Sequence, residues 1–369
     1  MEYWFSSYNP SQQKVYSEST QMYNLYLDKL KVYRETYRYR YGLQSANGKE
    51  YIFKEDTFSG KRKYSAKTQE SELYIKTYNT KKAELKQSIK DLKSELDTRA
   101  KYNRFEKIGR APNHLVEILT KINELGLNDK LVVIGTNALY AYEMEYGIII
   151  EQQHLATTDI DILNKRNVKL PLAVFTQGSP LSVVDMLKSI DSSFQENPKA
   201  PYQYVNKNHL IVELINPLTG EIMLNESRAD PFFDIVQKLD MNKIEWLNNS
   251  RLSKNAVIVA ENGKMAKMTT IHAIDFMVYK LWLSKQPDRA PFKAERDATQ
   301  AKIVTQILKE NSHYNLDEEL EKLQHIKKEV VETYKAEILS KYDEKQKTML
   351  VVEEPSFENH KSSRKRQRR

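Results

Sequence analysis

The stretch LVVIGTNALYAYEMEYGIIIEQQHLATTDIDIL, Leu131 to Leu163, decides how the chain is read. Leu131 to Ile134 is a run of four apolar residues, the signature of a buried strand. Gly135-Thr136 follows as a tight turn, then a helix, then a second strand that carries Asp159 and Asp161. Residues at i and i+2 of a strand point to the same face, about 6.6 Å apart along the chain. Two carboxylates so placed, beside backbone N–H groups at a helix start, suit divalent metal and a phosphate chain held together. The pattern points to metal-dependent phosphoryl or nucleotidyl transfer.

Composition sets the frame. A chain of 369 residues suggests two domains, or one large domain with appendages. A 40% hydrophobic content supports a core, while a mean hydropathy of −0.68 says that much of the chain is solvated. No stretch approaches the ~18 apolar residues of a membrane span. Met1 to Lys14 lacks the basic-then-apolar order of a secretory signal, and a cytoplasmic, membrane-free protein is expected. The absence of cysteine excludes disulfides, thiolate metal sites and cysteine nucleophiles. The net charge of +8 is unevenly spread: the last nine residues, KSSRKRQRR, hold +6 of it. That tail at 361–369 reads either as a disordered, solubilising end or as a basic arm for nucleic acid or an acidic surface.

Outward from the central stretch, hydrophobic period changes mark the organisation. Residues 11–36 repeat Tyr, Leu and Met at helical spacing. Tyr37-Arg38-Tyr39-Arg40-Tyr41 then switches to a period of two. Asn47-Gly48 is a two-residue hairpin turn, and a third short strand is expected at Gly60 to Tyr64. Tyrosine alternating with arginine could stack on nucleic acid, or the tyrosines could pack on a neighbouring helix while the arginines stay wet. Residues 68–104 read as a long charged helix, and Pro112 opens another that ends near Gly126. Beyond Asp161, strands are expected at 170–175, 202–205 and 209–215, a helix at 179–192, and a hairpin around Asn262-Gly263. Helices follow from Ile271, the last from about Leu316 to Lys345.

Nucleotidyl transfer needs carboxylates for ions, backbone donors for a triphosphate, and cations to absorb developing charge. The second strand supplies Asp159 and Asp161. Glu213 stands 52 residues after Asp161 between Val212 and Leu214, and an acid inside an apolar strand calls for a partner. Gly135, Thr136 and Asn137 form the turn. Lys280, Lys293 and Arg296 lie in later helices. His154 reads as a loop histidine, and no H-E-x-x-H, P-loop, G-x-S-x-G or G-x-G-x-x-G pattern occurs.

The order from Val133-Ile134-Gly135-Thr136 to Thr158-Asp159-Ile160-Asp161 resembles the DNA polymerase β-like nucleotidyltransferase superfamily. More narrowly, the chain is similar to a group of bacterial nucleotidyltransferase-fold proteins. These carry V-G-T-x-A, T-x-D-I-D, an H-K-L-like helix and a K-x-x-x-D-x-x-Q-A stretch. The last two correspond to Tyr279-Lys280-Leu281 and Lys293 to Ala301, with Tyr279 in place of the usual histidine. The resemblance implies Asp159, Asp161 and Glu213 as catalytic metal ligands for Mg²⁺ or Mn²⁺. It implies Gly135, Thr136, Asn137, Thr158 and Lys280, with Lys293 or Arg296, as nucleotide contacts.

The expected fold is α/β (α+β), a small mixed-sheet core at 111–255 flanked by an N-terminal helix-plus-hairpin arm at 1–110. A mainly helical region at 256–350 and a disordered basic tail at 351–369 complete it. The expected function is transfer of an NMP from an NTP to an acceptor hydroxyl of RNA, protein or a small molecule, with release of pyrophosphate. Nucleic acid would be met through the Tyr37–Tyr41 hairpin or the tail. The alternative is an inactive nucleotidyltransferase fold kept as a binding module.

Overall fold

The computed structural model describes residues 4–57, 59–165, 172–176, 179–181, 183–215, 246–310, 315–323, 331–332 and 335–336. The basic tail, and most of the helix expected up to Lys345, lie outside the described residues. The chain divides into two compact units, Met1–Asp275 and Phe276–Arg369.

The first unit begins with β1 (Phe5–Ser7) and α1 (Pro10–Thr36), then β2 (Tyr39–Ala46), β3 (Lys49–Asp56) and β4 (Arg62–Ala66), then α2 (Gln69–Phe105). Asn9 caps α1 and Thr68 caps α2, each in a reciprocal capping box. Asn47 and Gly48 both take positive φ, as the β2–β3 turn demands. The three strands form an antiparallel sheet in the order β2-β3-β4. Its inner face lies on α2: Tyr41 stacks edge-on to Tyr74 and Tyr78, and Tyr37 packs against Tyr78. Arg38 pairs with Asp56, and Arg40 and Arg62 pair with Glu55. Of the two readings of the Tyr37–Tyr41 segment, packing on a helix describes these tyrosines.

The core follows as α3 (Asn113–Leu125), β5 (Leu131–Ile134), a 3-10 turn (Gly135–Ala138), α4 (Leu139–Tyr146), β6 (Ile148–Ile150), β7 (Asp159–Asn164), β8 (Leu172–Thr176), β9 (Ser179–Leu181) and α5 (Val183–Lys188). Then come β10 (Gln195–Asn197), β11 (Ala200–Val205), β12 (Ile211–Ile215), β13 (Leu252–Ser253), β14 (Val257–Val259), β15 (Met265–Lys267) and β16 (Thr270–Ile271). Seven strands form one mixed sheet in the order β10-β11-β12-β7-β5-β16-β13. Pro112 and Gly126 bracket α3 as expected, and its Leu115, Ile118, Leu119 and Ile122 are buried at helical spacing. The expected helix at 179–192 is shorter than the sequence suggested. Ser179–Leu181 pairs with β8 as a strand, and only Val183–Lys188 is helical. Pro180 suits the extended start, because it has no N–H to give to a helix.

Polar side chains fasten arm to core inside this unit. The Tyr23 hydroxyl and the Lys267 N–H both donate to Asn123 Oδ1, at 2.8 and 2.7 Å. Arg34 donates to the carbonyls of Asn123 and Glu124, the open C-terminal end of α3. Asn103 Nδ2 donates to the Gly263 carbonyl at 3.0 Å. Gly263 sits at φ +82° against the backbone of Ala100, where no Cβ fits. A second buried knot joins Arg110, Glu143 and Ile150. Arg110 donates to the Glu143 carboxylate and to the Ile150 carbonyl, and the Ile150 N–H donates to Glu143 at 2.7 Å. Burial pushes Glu143 up to about 7, while Arg110 and the Ile150 N–H pull it down.

The second unit starts within α6 (Ala273–Ser284) and continues through α7 (Pro291–Glu310) and α8 (Leu316–Glu321). Lys280 and Asp297 are both buried and pair at 2.6 Å. Arg289 donates to the other oxygen of Asp297 at 2.8 Å. Among the described residues, no helix is long and apolar enough to cross a membrane.

Two outcomes are expected. Gly263→Ala should unfold at a clearly lower temperature than wild type, because both φ and space oppose a side chain; an unchanged melt would contradict the clamp. For Glu143, the native state holds its proton more tightly than the unfolded chain, so its contribution is full below about pH 4.5. That contribution is lost as pH rises through about 7, and on the order of 3 kcal/mol is at stake. Thermal melts from pH 4.5 to 8 should show wild type falling relative to Glu143→Gln; parallel curves would contradict the assignment.

Candidate active site

β7 owes its two-sided character to alternation. Ile160 and Ile162 are buried on one face, and Asp159 and Asp161 are half-buried on the other. Its neighbour β12 alternates in the same way, with Val212 and Leu214 buried and Glu213 half-buried. The two strands pair in parallel, and their register sets Glu213 opposite Asp161 and Ile211 opposite Asp159. Register partners point the same way, across a strand spacing of about 4.8 Å. Three carboxylates from two distant segments therefore occupy one patch of one sheet face.

On the other side β5 runs antiparallel to β7, with Ile134 opposite Asp161. The chain leaves β5 through Gly135 at φ +70°. A Cβ at Gly135 would collide with the Asp161 carboxylate, whose Cγ lies 3.3 Å from that position. Glycine is required here twice over, for its left-handed backbone and for the space the carboxylate fills. Thr136 and Asn137 are buried, and Asn137 Nδ2 donates to the Asp159 carbonyl at 2.8 Å, tying the turn to β7. Gly135 to Ala138 is a 3-10 turn rather than the first turn of an α-helix; α4 starts at Leu139.

Neighbouring side chains orient the acids. The Thr157 hydroxyl donates to the Asp159 carboxylate. Gln203, opposite Glu213 on β11, donates from Nε2 to Glu213 Oε1 at 2.7 Å, and Asn197 Nδ2 donates to Gln203 Oε1 at 2.9 Å. Tyr202 is raised by burial and by the nearby charge of Glu213. Sequence inspection gave Gln203 and Asn197 no role, because their proximity depends on the β11–β12 register. Thr158 is exposed, and His154 lies in a 3-10 turn 3.7 Å from Glu151. As the side chains stand, among the described residues no three His, Asp or Glu groups close around a single point as a metal cage.

Lys280, Lys293 and Arg296 belong to the second unit. Burial lowers Lys280, and Asp297 opposes that by keeping it charged. The two motifs Tyr279-Lys280-Leu281 and Lys293 to Ala301 thus meet through a buried ion pair, a link that their separation in sequence hides. Lys293 and Arg296 are half-buried on the first turns of α7.

A family model described as nucleotidyltransferase matches residues 113–325, from the start of α3 to just beyond α8. No curated protein and no solved structure gives a match. The matched span exceeds half the chain and contains the glycine turn, both aspartates, Glu213 and the Lys280–Asp297 pair. With the strand, glycine turn, D-x-D strand and third acid arranged on one sheet, the chain belongs to this nucleotidyltransferase family.

Proposed function

We propose that the enzyme transfers a nucleoside monophosphate from an NTP to an acceptor hydroxyl, releasing pyrophosphate, with the reaction centred on Asp159, Asp161 and Glu213. The observation that supports this most is the register that sets Glu213 opposite Asp161. The donor set fits a hard divalent cation such as Mg²⁺ or Mn²⁺, because three carboxylates on one face supply only oxygen. Bound there, such an ion would polarise the α-phosphate and offset charge on the leaving pyrophosphate.

The chain's own groups have separable tasks in this reading. Asp159 and Asp161 hold the cation, with Asp161 fixed by its fit over Gly135. Glu213, steadied by Gln203, accepts the proton of the acceptor hydroxyl. Backbone N–H groups of Gly135, Thr136 and Asn137 donate to phosphate oxygens, and the exposed Thr158, next to Asp159 in sequence, adds a hydroxyl. A nucleotide role for Lys280, Lys293 or Arg296 rests on the sequence motif. Lys280 is already committed to Asp297, so for it that role is indirect, through the fixed geometry of α6 and α7. RNA, protein and small molecules are the acceptor classes, and the carboxylate patch of Asp159, Asp161 and Glu213 also suits a module that binds nucleotide without turnover.

Purified protein with α-labelled NTPs, Mg²⁺ or Mn²⁺ and pooled RNA or protein acceptors tests the reading. Transfer should fall by more than about a hundredfold in Asp159→Asn and in Asp161→Asn, as expected for loss of several kcal/mol of charge stabilisation. Transfer that survives both changes would remove these residues from the reaction. Gly135→Ala should fold with a modestly lower melting temperature yet lose Mn²⁺-dependent nucleotide binding about tenfold or more, because its methyl displaces Asp161. Wild-type binding in that variant would overturn the role of the turn.

A further inference from the structure

The three-stranded sheet of the arm has a second face, turned away from α2. Strict alternation and register assign it: Arg40 on β2, Tyr51, Phe53 and Glu55 on β3, Arg62 and Tyr64 on β4, with Glu55 paired to both arginines. Phe53 is opposite Gly42 and Tyr64, and its ring lies over Gly42, where a Cβ would strike the ring. The Arg62 and Arg40 guanidinium groups stand 4.7 and 5.7 Å from the Phe53 ring centre. Tyr64 is 52% exposed. The inner face buries Ile52 and the tyrosines that pack on α2, so these outer aromatics are not needed to close the core.

The segment that carries both faces of the sheet is basic as a whole. Residues 37–68 hold eight Lys and Arg against three Asp and Glu, a net +5, whereas everything outside this segment and the last nine residues sums to −3. Lys49, at the turn end of β3, is exposed on this same face, whereas Lys63 is opposite Lys54 on the face towards α2. The sheet lies outside the residues that match the family.

We propose that this outer face binds single-stranded RNA, with bases stacked on Tyr51, Phe53 and Tyr64 and phosphates met by Arg40, Arg62 and Lys49. Flat aromatic faces on an open sheet, interleaved with guanidinium groups, match unpaired bases and a charged backbone together. Gln44, opposite Tyr51 on the same face, places an amide where it can exchange hydrogen bonds with a ribose 2′-hydroxyl. The inference does not depend on the transferase reading, since none of these residues belongs to the carboxylate patch.

Fluorescence anisotropy with labelled 12-nucleotide RNA, DNA of the same sequence and duplex RNA tests it on the full chain. A variant lacking residues 361–369 separates the sheet from the tail. Binding to single-stranded RNA should persist without the tail, weaken steeply with salt, and exceed binding to duplex. Tyr51→Ala with Tyr64→Ala should reduce it about tenfold or more, and Arg40→Glu with Arg62→Glu at least as much. Asp161→Asn should leave it unchanged. Thermal melts confirm that the variants fold. Loss of all binding with the tail, affinity unchanged by the tyrosine pair, equal affinity for DNA, or preference for duplex would each overturn the proposal.

Discussion

The candidate site depends on one pairing, the parallel register of β12 against β7. Sliding β12 by one residue would turn Glu213 to the buried face and bring Val212 or Leu214 into the carboxylate patch. The hydrophobic cost protects the register: Val212 and Leu214 on one strand and Ile160 and Ile162 on the other must stay buried together. Packing on one side of the sheet therefore fixes chemistry on the other. The same economy holds at Gly135, where the turn that ends β5 and the volume left for Asp161 are set by a single missing side chain.

Around that sheet, buried polar groups join elements far apart in sequence, alongside the apolar core. Asn123 connects α1, α3 and β15, and Glu143 with Arg110 connects α4 to β6. Such buried groups are costly unless every partner is present, and they penalise misassembly more than they add stability. In the second unit Lys280, Arg289 and Asp297 do the same for α6 and α7.

Much of this was legible beforehand because local chemistry announces itself. Leu131 to Ile134 could hardly be anything but a covered strand, Pro112 and Gly126 bracket a helix, and Asn47-Gly48 dictates a hairpin. The D-x-D pair and an acid flanked by valine and leucine were visible for the same reason. What stayed hidden were relations across strands. The Gln203–Glu213 contact needs the β11–β12 register, and the Lys280–Asp297 pair needs two helices packed together. Which face of the Tyr37–Tyr64 sheet meets α2 depends on tertiary contact as well. Periodicity names two faces but does not say which one is covered. At Ser179 to Lys188 the apolar spacing suited a helix, and pairing with β8 prevailed over its first three residues.

Crystals grown with Mn²⁺ and a non-hydrolysable NTP test the central claim most directly. The account predicts an anomalous peak on the sheet face shared by Asp159, Asp161 and Glu213, with phosphate density at Gly135 and Thr136. A peak held by other residues, or nucleotide bound elsewhere with the three acids bare, would contradict it.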